Sequence, residues 1–233
     1  MYGLRLYWDP SIILLLIGFG ITMLASASMR STFSKYQQIT ASRGMTGAQA
    51  AARILTAADI QDVAIQPIEG SLTDHYDPRN KTVSLSESVF GQRSIAAVCV
   101  AAHECGHAIQ HKENYAPLNF RTAIVPVASF GSSMAWPIFL VGLVMAWRPL
   151  QIAGIVLFSA AVIFQLATLP VEFNASSRAL AMLEYTGILS PEENKGAKKV
   201  LNAAALTYVA SLAASVLQLL RLVLLASGGR RRD

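Results

Sequence analysis

The residues from His103 to His107 read His-Glu-Cys-Gly-His, which is the HExxH spacing found in many zinc sites. Residues four apart on a helix share one face, so both imidazoles can bind one metal ion. Glu104 then lies beside the open metal position, where a carboxylate can take a proton from water. The preceding run, Ser94 to Ala102, is apolar and free of proline, which predicts a buried helix. The chemistry that this pattern predicts is metal-assisted hydrolysis.

A third protein ligand is needed, because catalytic zinc takes three protein side chains and leaves the fourth position to water. The candidates are His75, His111, Glu87, Glu113 and Glu172. His111 would lie about 80° around a straight helix from His103 and about 12 Å along it, too far for one zinc ion. We therefore do not expect His111 to be a ligand.

Glu172 is the favoured third ligand, since it follows an apolar stretch that ends near Leu169. Carboxylates at membrane depth are costly and usually functional. Two crossings would separate Glu172 from the HExxH helix, and an even number of crossings returns the chain to the same side. Two histidines and one glutamate form a known catalytic zinc set. The alternative is a helix N-terminal carboxylate paired with Arg178 or Arg121.

The composition points to a membrane protein, since 53% of the 233 residues are hydrophobic and only 14% are charged. Soluble domains carry about 25% charged residues. Four stretches are long enough to cross a bilayer: Ser11 to Met29, about 123 to 147, about 150 to 169, and about 203 to 226. We favour an uncleaved anchor over a signal peptide for the first stretch. The fourth contains Gln218 and Arg221, and its alternative is an amphipathic helix on a surface.

The segment from residue 30 to residue 122 is polar and mixed, and it is the candidate catalytic segment. Thr46 and Gln49 form a capping-box pattern that begins a helix. Alternating apolar residues around Val63 and Val83 predict strands, with turns between them. A helix, strands and the motif helix make up a minimal zincin-like layout, in which an edge strand can bind an extended peptide.

The fold class that follows is an α-helical membrane protein with about four transmembrane helices and a small zincin-like α+β catalytic segment. We divide the chain into an anchor (1–29), the catalytic segment (30–122), a transmembrane hairpin (123–169), a third-ligand and connecting helix segment (170–202), and a fourth span with a basic tail (203–233). Ser190 and Glu193 form a second capping-box pattern in the fourth of these segments.

Charge and cysteine content bear on the cellular compartment. The net charge of +5 is spread through loops and ends, as in membrane proteins, so nucleic acid is not an expected partner. Cys99 and Cys105 are too far apart around a helix to form a disulfide, and packing is the favoured role of Cys105.

Nine basic residues lie near span ends on the catalytic side: Arg30, Lys35, Arg43, Lys112, Arg121, Arg178, Lys195, Lys198 and Lys199. Five lie on the opposite side: Arg5, Arg148 and Arg230 to Arg232. This excess predicts a cytoplasmic active site.

Several stretches together resemble the YugP-type neutral zinc metallopeptidases of bacterial membranes. They are Leu72 to Pro78, Leu85 to Phe90, Ala96 to Gln110, and Pro170 to Ser176. The resemblance spans nearly the whole chain and implies a membrane-embedded zinc endopeptidase in the bacterial cell membrane. The chain is more distantly similar to HtpX-like and CAAX-prenyl endopeptidases, in which a Glu-x-x-Ala-Asp segment supplies the third ligand of a gluzincin site. Ser176 replaces the aspartate of that segment, so the partner of the histidine ligand is in question.

The expected mechanism is peptide hydrolysis, with zinc on His103, His107 and Glu172 and with Glu104 as general base. His75 and Tyr76, on the turn before the proposed edge strand, are candidate donors to the reacting oxygen. Their alternatives are a turn histidine and a packed tyrosine. Arg178 is better explained as a structural ion-pair partner. Two other functions stay open: a zinc hydrolase of a non-peptide membrane substrate, and a non-catalytic zinc-bearing membrane scaffold.

Overall fold

The computed structural model describes residues 10–228, most of which are helical. Nine elements follow one another: α1 (Ile12–Gln37), α2 (Gly47–Ala57), β1 (Ala64–Ile68), β2 (His75–Asp77), β3 (Thr82–Ser86), α3 (Ile95–Lys112), α4 (Ala116–Val144), α5 (Arg148–Tyr185) and α6 (Pro191–Gly228). Helices α1, α4, α5 and α6 are each long and apolar enough to cross a membrane. The predicted fold class, with four spans and a small α+β segment, is confirmed. Arg5 and Arg230 to Arg232, which entered the charge comparison, lie outside the described residues.

The chain forms two compact units. The first, here called the span unit, contains the described residues up to Leu24, Ile124–Leu166, and those from Val209 onward. The second, here called the site unit, contains Ala25–Ala123 and Ala167–Tyr208. Every residue singled out above for chemistry belongs to the site unit.

In the span unit, small residues bring helices close together. A Cβ added to Gly131 would lie 2.6 Å from the Leu157 carbonyl oxygen, so α4 and α5 approach closely there. Gly18 of α1 faces Ala214 of α6 in a similar way. Lipid chains are as apolar as the helices themselves, so this close packing of small residues helps to hold membrane helices together.

In the site unit, the sheet has the order β1-β3-β2, with β1 parallel and β2 antiparallel to β3. The prediction for His75 and Tyr76 was therefore wrong in one respect: they lie on strand β2 and not on a turn. The strand that follows them, β3, is central, and β2 is an edge. Strand β2 has only three residues, and few of them are apolar. It therefore shows no alternation of apolar and polar side chains by which the sequence could reveal a strand.

A single hydrophobic core holds the sheet against the helices of the site unit. Side chains with almost no exposure come from α2, β3, α3 and α5, and include Ile54, Val83, Leu85, Val98 and Leu183. Burying each such side chain contributes about 1.5–3 kcal/mol. This core packs against the apolar face of α3, the helix that carries the HExxH pattern, and so holds that helix in place.

The ends of the shorter elements follow the capping rules. The Thr46 side chain accepts from the backbone N–H of Gln49, and the Gln49 side chain accepts from that of Thr46, as predicted. Ser94 caps α3 by accepting from the Ala97 N–H. Ser190 and Glu193 complete the second predicted capping box at the start of α6. These caps satisfy amide groups that a helix leaves unpaired at its first turn.

Two helices are longer than the sequence suggested. Helix α5 continues without a break from Arg148 through Pro170 to Tyr185, so a single helix carries both the third span and Glu172. Helix α6 likewise joins the segment that begins at Pro191 to the fourth span.

Both cysteines are free and fully buried within the site unit. The Cys105 thiol lies 3.7 Å from the Ala51 carbonyl oxygen, and burial raises the pKa of both thiols. Cys105 therefore has the packing role that its position in the motif indicated. Thiols held protonated in this way are poor nucleophiles.

Helices α3 and α5 approach each other closely at Gly106. A Cβ added there would lie 2.5 Å from the Ala175 carbonyl oxygen, which is closer than any Cβ contact tolerates. Gly106 stands between His103 and His107, and Ala175 follows Glu172 by three residues. The missing side chain thus lets the glutamate helix reach the histidine helix.

Gly106→Ala is expected to lower stability by about 1–3 kcal/mol, because the added methyl group overpacks the contact with Ala175. The helix propensity of alanine would offset up to about 1 kcal/mol of this cost. Thermal unfolding of the detergent-solubilised protein measures the effect. Gly91→Ala is the matched control, since a Cβ at Gly91 meets no atom within 4 Å. Equal melting temperatures for the two variants would contradict the close contact.

Candidate metal centre

The structure brings three of the predicted residues into one cluster. Atoms of His103, His107 and Glu172 that can bind a metal all lie within 4.8 Å of one another. Helix α3 supplies both imidazoles, whose rings meet edge to face with centroids 4.8 Å apart. Helix α5 supplies the carboxylate, of which only 3% is exposed. Residues separated by 65 positions in the sequence therefore share one polar site.

The distances in this cluster suit a tetrahedral zinc ion. The Oε2 atom of Glu172 lies 3.2 Å from Nε2 of His103 and 3.6 Å from Nε2 of His107. Bonds of about 2.1 Å in a tetrahedral arrangement separate neighbouring ligand atoms by about 3.4 Å. Two imidazole nitrogens and a carboxylate oxygen are also ligands that zinc prefers. The residues present thus fit zinc by chemistry and by spacing.

The buried side-chain amide of Gln110 determines which ring nitrogen of His107 carries the proton. Nε2 of Gln110 donates to the Val171 carbonyl oxygen and to Oδ1 of Asn174, at 2.8 and 2.9 Å. The amide oxygen of Gln110 must then face the other way, and it lies 3.0 Å from Nδ1 of His107. It therefore accepts the Nδ1–H, which leaves the lone pair of Nε2 directed at the cluster. Hydrogen bonds of this kind set the tautomer and the ring orientation of metal-binding histidines.

Ser176 gives His103 its second partner. The Oγ atom of Ser176 lies 3.2 Å from Nδ1 of His103, so the serine hydroxyl can accept from that nitrogen. The sequence had left this partner in question because serine replaces the aspartate of the distant families. Ser176 lies one helical turn beyond Glu172. Its short side chain reaches His103 because α3 and α5 lie so close at Gly106. The same short helix segment thus carries the carboxylate and the partner of a histidine.

The electrostatic balance of the cluster favours a bound cation. Burial lowers the pKa of His107, but the carboxylates of Glu172 and Glu104 outweigh burial and leave this pKa raised. Glu104 itself is buried, with 8% of its surface exposed. Two carboxylates in a poorly solvated site attract positive charge, whether a proton or a metal ion.

The remaining charged candidates have structural partners. Nη2 of Arg178 lies 2.7 Å from the Glu113 carboxylate, and its Nε donates to Asn174. This is the ion-pair role predicted for Arg178. Arg121 extends from α4, with Nη1 4.0 Å from Oε1 of Glu172. The alternative prediction was a helix N-terminal carboxylate paired with Arg178 or Arg121. Arg121 does lie near Glu172, but Glu172 is inside α5 and not at a helix N-terminus, and its histidine contacts are present as well.

His75 and Tyr76 make their hydrogen bonds elsewhere. His75 is exposed, and its Nδ1 lies 2.9 Å from the Thr73 carbonyl oxygen. The Tyr76 hydroxyl lies 2.8 Å from Nδ1 of His111. Burial, with help from Asp62 and Asp77, raises the pKa of Tyr76 to about 12, so its hydroxyl keeps its proton. His111, which we did not expect to bind metal, is thus held by a tyrosine on the adjacent strand.

Gln110 is the residue that sequence reasoning missed. It lies on α3, three residues beyond His107, and it is fully buried. A glutamine within a helix is ordinary, so the sequence held no signal that set Gln110 apart.

These features define a class: a helical membrane protein in which two histidines of an HExxH helix and a buried glutamate form a group able to bind a metal ion. The chain belongs to the family described as "Putative neutral zinc metallopeptidase", whose model matches residues 11–227. It is 48% identical over 219 residues to "Putative membrane protease YugP" of Bacillus subtilis (strain 168), covering 94% of this chain and 97% of that protein. No solved structure matches the chain. The predicted family resemblance is confirmed, and so is a membrane location.

Gln110→Leu is expected to weaken zinc binding about 10- to 100-fold, because His107 loses the acceptor that holds its ring and tautomer. Competition with a chromogenic chelator measures the affinity. Gln37→Leu, on the exposed end of α1, is the matched control and should bind zinc like the parent protein. An unchanged affinity in Gln110→Leu would show that the amide does not orient the ligand.

Proposed function

We propose that the protein is a membrane-embedded zinc metalloendopeptidase that hydrolyses peptide bonds. The observation that carries the proposal is the approach of Nε2 of both histidines to one oxygen of Glu172. His103, His107 and Glu172 would hold the metal ion. A bound zinc would lower the pKa of a water molecule toward 7 and polarise the carbonyl of the bond to be cut.

The side chains of the site would then handle the protons. Glu104 lies next to His103 on α3, so its carboxylate would accept a proton at its oxygen and pass it to the leaving amine. Its burial next to the candidate metal ligand His103 supports this role. The hydrogen bonds of Gln110 and Ser176 would keep both imidazoles oriented during the reaction.

The substrate would be an extended peptide added to the edge of the sheet. Strand β2 pairs with β3 along one side, and no other strand among residues 10–228 pairs with it. Helix α3 packs against β2, so a peptide on this edge would run near the metal-binding helix. His75 and Tyr76 lie on this strand, and they remain our candidates for donors to the reacting carbonyl oxygen.

Glu104→Gln is expected to lower kcat by about 10²- to 10⁴-fold, because the amide cannot accept a proton from water. Zinc content should stay at the level of the parent protein. The assay is cleavage of casein by the detergent-purified protein, with and without a chelator, together with metal analysis of each variant.

The matched control is Glu87→Gln, which changes an exposed glutamate elsewhere in the site unit. Full activity in Glu104→Gln would contradict the assigned base. Tight zinc binding without turnover of casein would favour one of two other functions. Hydrolysis of a non-peptide membrane substrate would then support the hydrolase alternative, and no turnover of any substrate would support a scaffold.

We also propose that the active site faces the cytoplasm, on the basis of the excess of basic residues near the span ends on that side. The buried native thiols provide a clean background for a test with introduced cysteines. Gln61→Cys in the site unit and Met145→Cys between α4 and α5 both replace exposed residues.

A membrane-impermeant maleimide applied to intact cells with a permeabilised outer membrane should label Met145→Cys but not Gln61→Cys. After lysis, both variants should react. Labelling of Gln61→Cys in intact cells, with Met145→Cys protected, would place the site on the outer side.

A further inference from the structure

A cavity of about 390 Å³ lies in the site unit, beside the C-terminal end of α3. Tyr76 of β2 and His111 of α3 line it, and Ile60, Val63 and Ala108 form an apolar wall. None of the three candidate metal ligands lines this cavity. A side chain that entered it would therefore meet an apolar surface and the polar atoms of one tyrosine and one histidine.

The hydrogen bond between Tyr76 and His111 determines which of the two can bind a ligand. The Tyr76 hydroxyl lies 2.8 Å from Nδ1 of His111. A phenol O–H is a better donor than an imidazole N–H, and an imidazole nitrogen is a better acceptor than a phenol oxygen. Tyr76 therefore donates and Nδ1 accepts, so the one ring proton of the neutral imidazole lies on Nε2. Since Nε2 has no hydrogen-bond partner among residues 10–228, His111 has a free N–H donor.

His111 lies on the same face of α3 as Glu104, the proposed general base. The two residues are seven positions apart, which is about two turns and about 10 Å along the helix. Strand β2 packs on this face through the contact of Tyr76 with His111. An extended peptide advances about 3.3 Å per residue. A peptide paired with β2 and cut beside Glu104 would therefore bring a residue a few positions from the cut bond to His111.

The charged residues around the cavity occur as ion pairs. Lys81 pairs with Asp62, and Nζ of Lys112 lies 3.3 Å from the Asp59 carboxylate. Nζ of Lys112 also donates to the backbone carbonyls of Ala58 and Asp59. The cavity therefore has little net charge with which to select a charged group. An apolar wall and one free N–H suit an uncharged side chain with an apolar stem and an acceptor at its end, and glutamine has both.

We propose that this cavity is a specificity subsite for a glutamine side chain of the substrate, with Nε2–H of His111 donating to the amide oxygen. Tyr76 is the positioning residue of the subsite, because its hydroxyl keeps the proton of His111 on Nε2. This inference rests on the peptidase function proposed above. A direct bond from Tyr76 to the reacting oxygen would require its contact with His111 to break.

The test compares the peptides that the detergent-purified parent protein and His111→Phe cleave. The library places glutamine, leucine, glutamate or lysine at each position on both sides of the cut bond. The parent protein should prefer glutamine over leucine at one position. In His111→Phe this preference, as a ratio of kcat/KM values, should fall about 3- to 10-fold, which is the value of one hydrogen bond. The change should lie mainly in KM, because the subsite is away from the reacting atoms.

Tyr76→Phe tests the positioning role. It removes the hydroxyl, so the proton of His111 is free to move to Nδ1, and the glutamine preference should fall. Adding Tyr76→Phe to His111→Phe should lower the preference no further, since the tyrosine acts through the histidine. Tyr185→Phe, at the exposed end of α5, is the matched control and should keep the full preference. Nitrogen NMR signals of the His111 ring in the parent protein should show a protonated Nε2 and an unprotonated Nδ1.

Equal preferences in the parent protein and His111→Phe would overturn the subsite. A preference for glutamate or lysine over glutamine at the affected position would do the same. A proton on Nδ1 in the parent protein, or a loss of kcat in Tyr76→Phe with an unchanged preference, would overturn the positioning role of Tyr76.

These outcomes distinguish the subsite from the proposed function. A parent protein that cleaves no peptide would end the peptidase proposal and the subsite together. Peptide cleavage without a glutamine preference would end the subsite alone.

Discussion

The close approach of α3 and α5 at Gly106 is the constraint on which the metal cluster depends. A glutamate side chain reaches only a few ångströms from its own helix, so its carboxylate can meet two imidazoles only if the backbones nearly touch. The absence of a side chain at Gly106 and the small Ala175 permit that contact. The glycine of His-Glu-Cys-Gly-His thus contributes the close helix contact, while the two histidines and the glutamate of the motif contribute the groups that can do chemistry.

The contact between Gly106 and Ala175 also explains why a short segment of α5 supplies most of the hydrogen-bond partners around the candidate ligands. Over little more than one helical turn, α5 provides the candidate third ligand Glu172, the Ser176 hydroxyl, and the Val171 carbonyl that orients Gln110. Each partner is short, and each is sufficient only because the helices are close. The Ser176 hydroxyl reaches Nδ1 of His103 at 3.2 Å because the two backbones are so close.

Glu172 belongs to the same continuous helix as the third apolar stretch. His103 and His107 lie on α3, which is packed against α2 and the sheet by the core of the site unit. The candidate metal site therefore combines one residue of a long, largely apolar helix with two residues of a shorter helix that the core holds in place.

Much of this protein could be predicted from its sequence, because the relevant signals are local. The lengths of the apolar stretches predicted the four spans, and the capping residues predicted where helices begin. The spacing from His103 to His107 predicted which face of α3 carries the candidate ligands. Glu172 could be proposed because a carboxylate beside an apolar stretch is costly, and because an even number of crossings returns it to the right side.

Strand β2 could not be predicted from the sequence. Three residues are too few to show the alternation of apolar and polar side chains, and the pairing of β2 with β3 is a tertiary contact. The partners of the candidate ligands, Gln110 and Ser176, were hidden for a related reason. Glutamine and serine are common in helices, and only the packing of α3 against α5 decides which of them meets a candidate ligand.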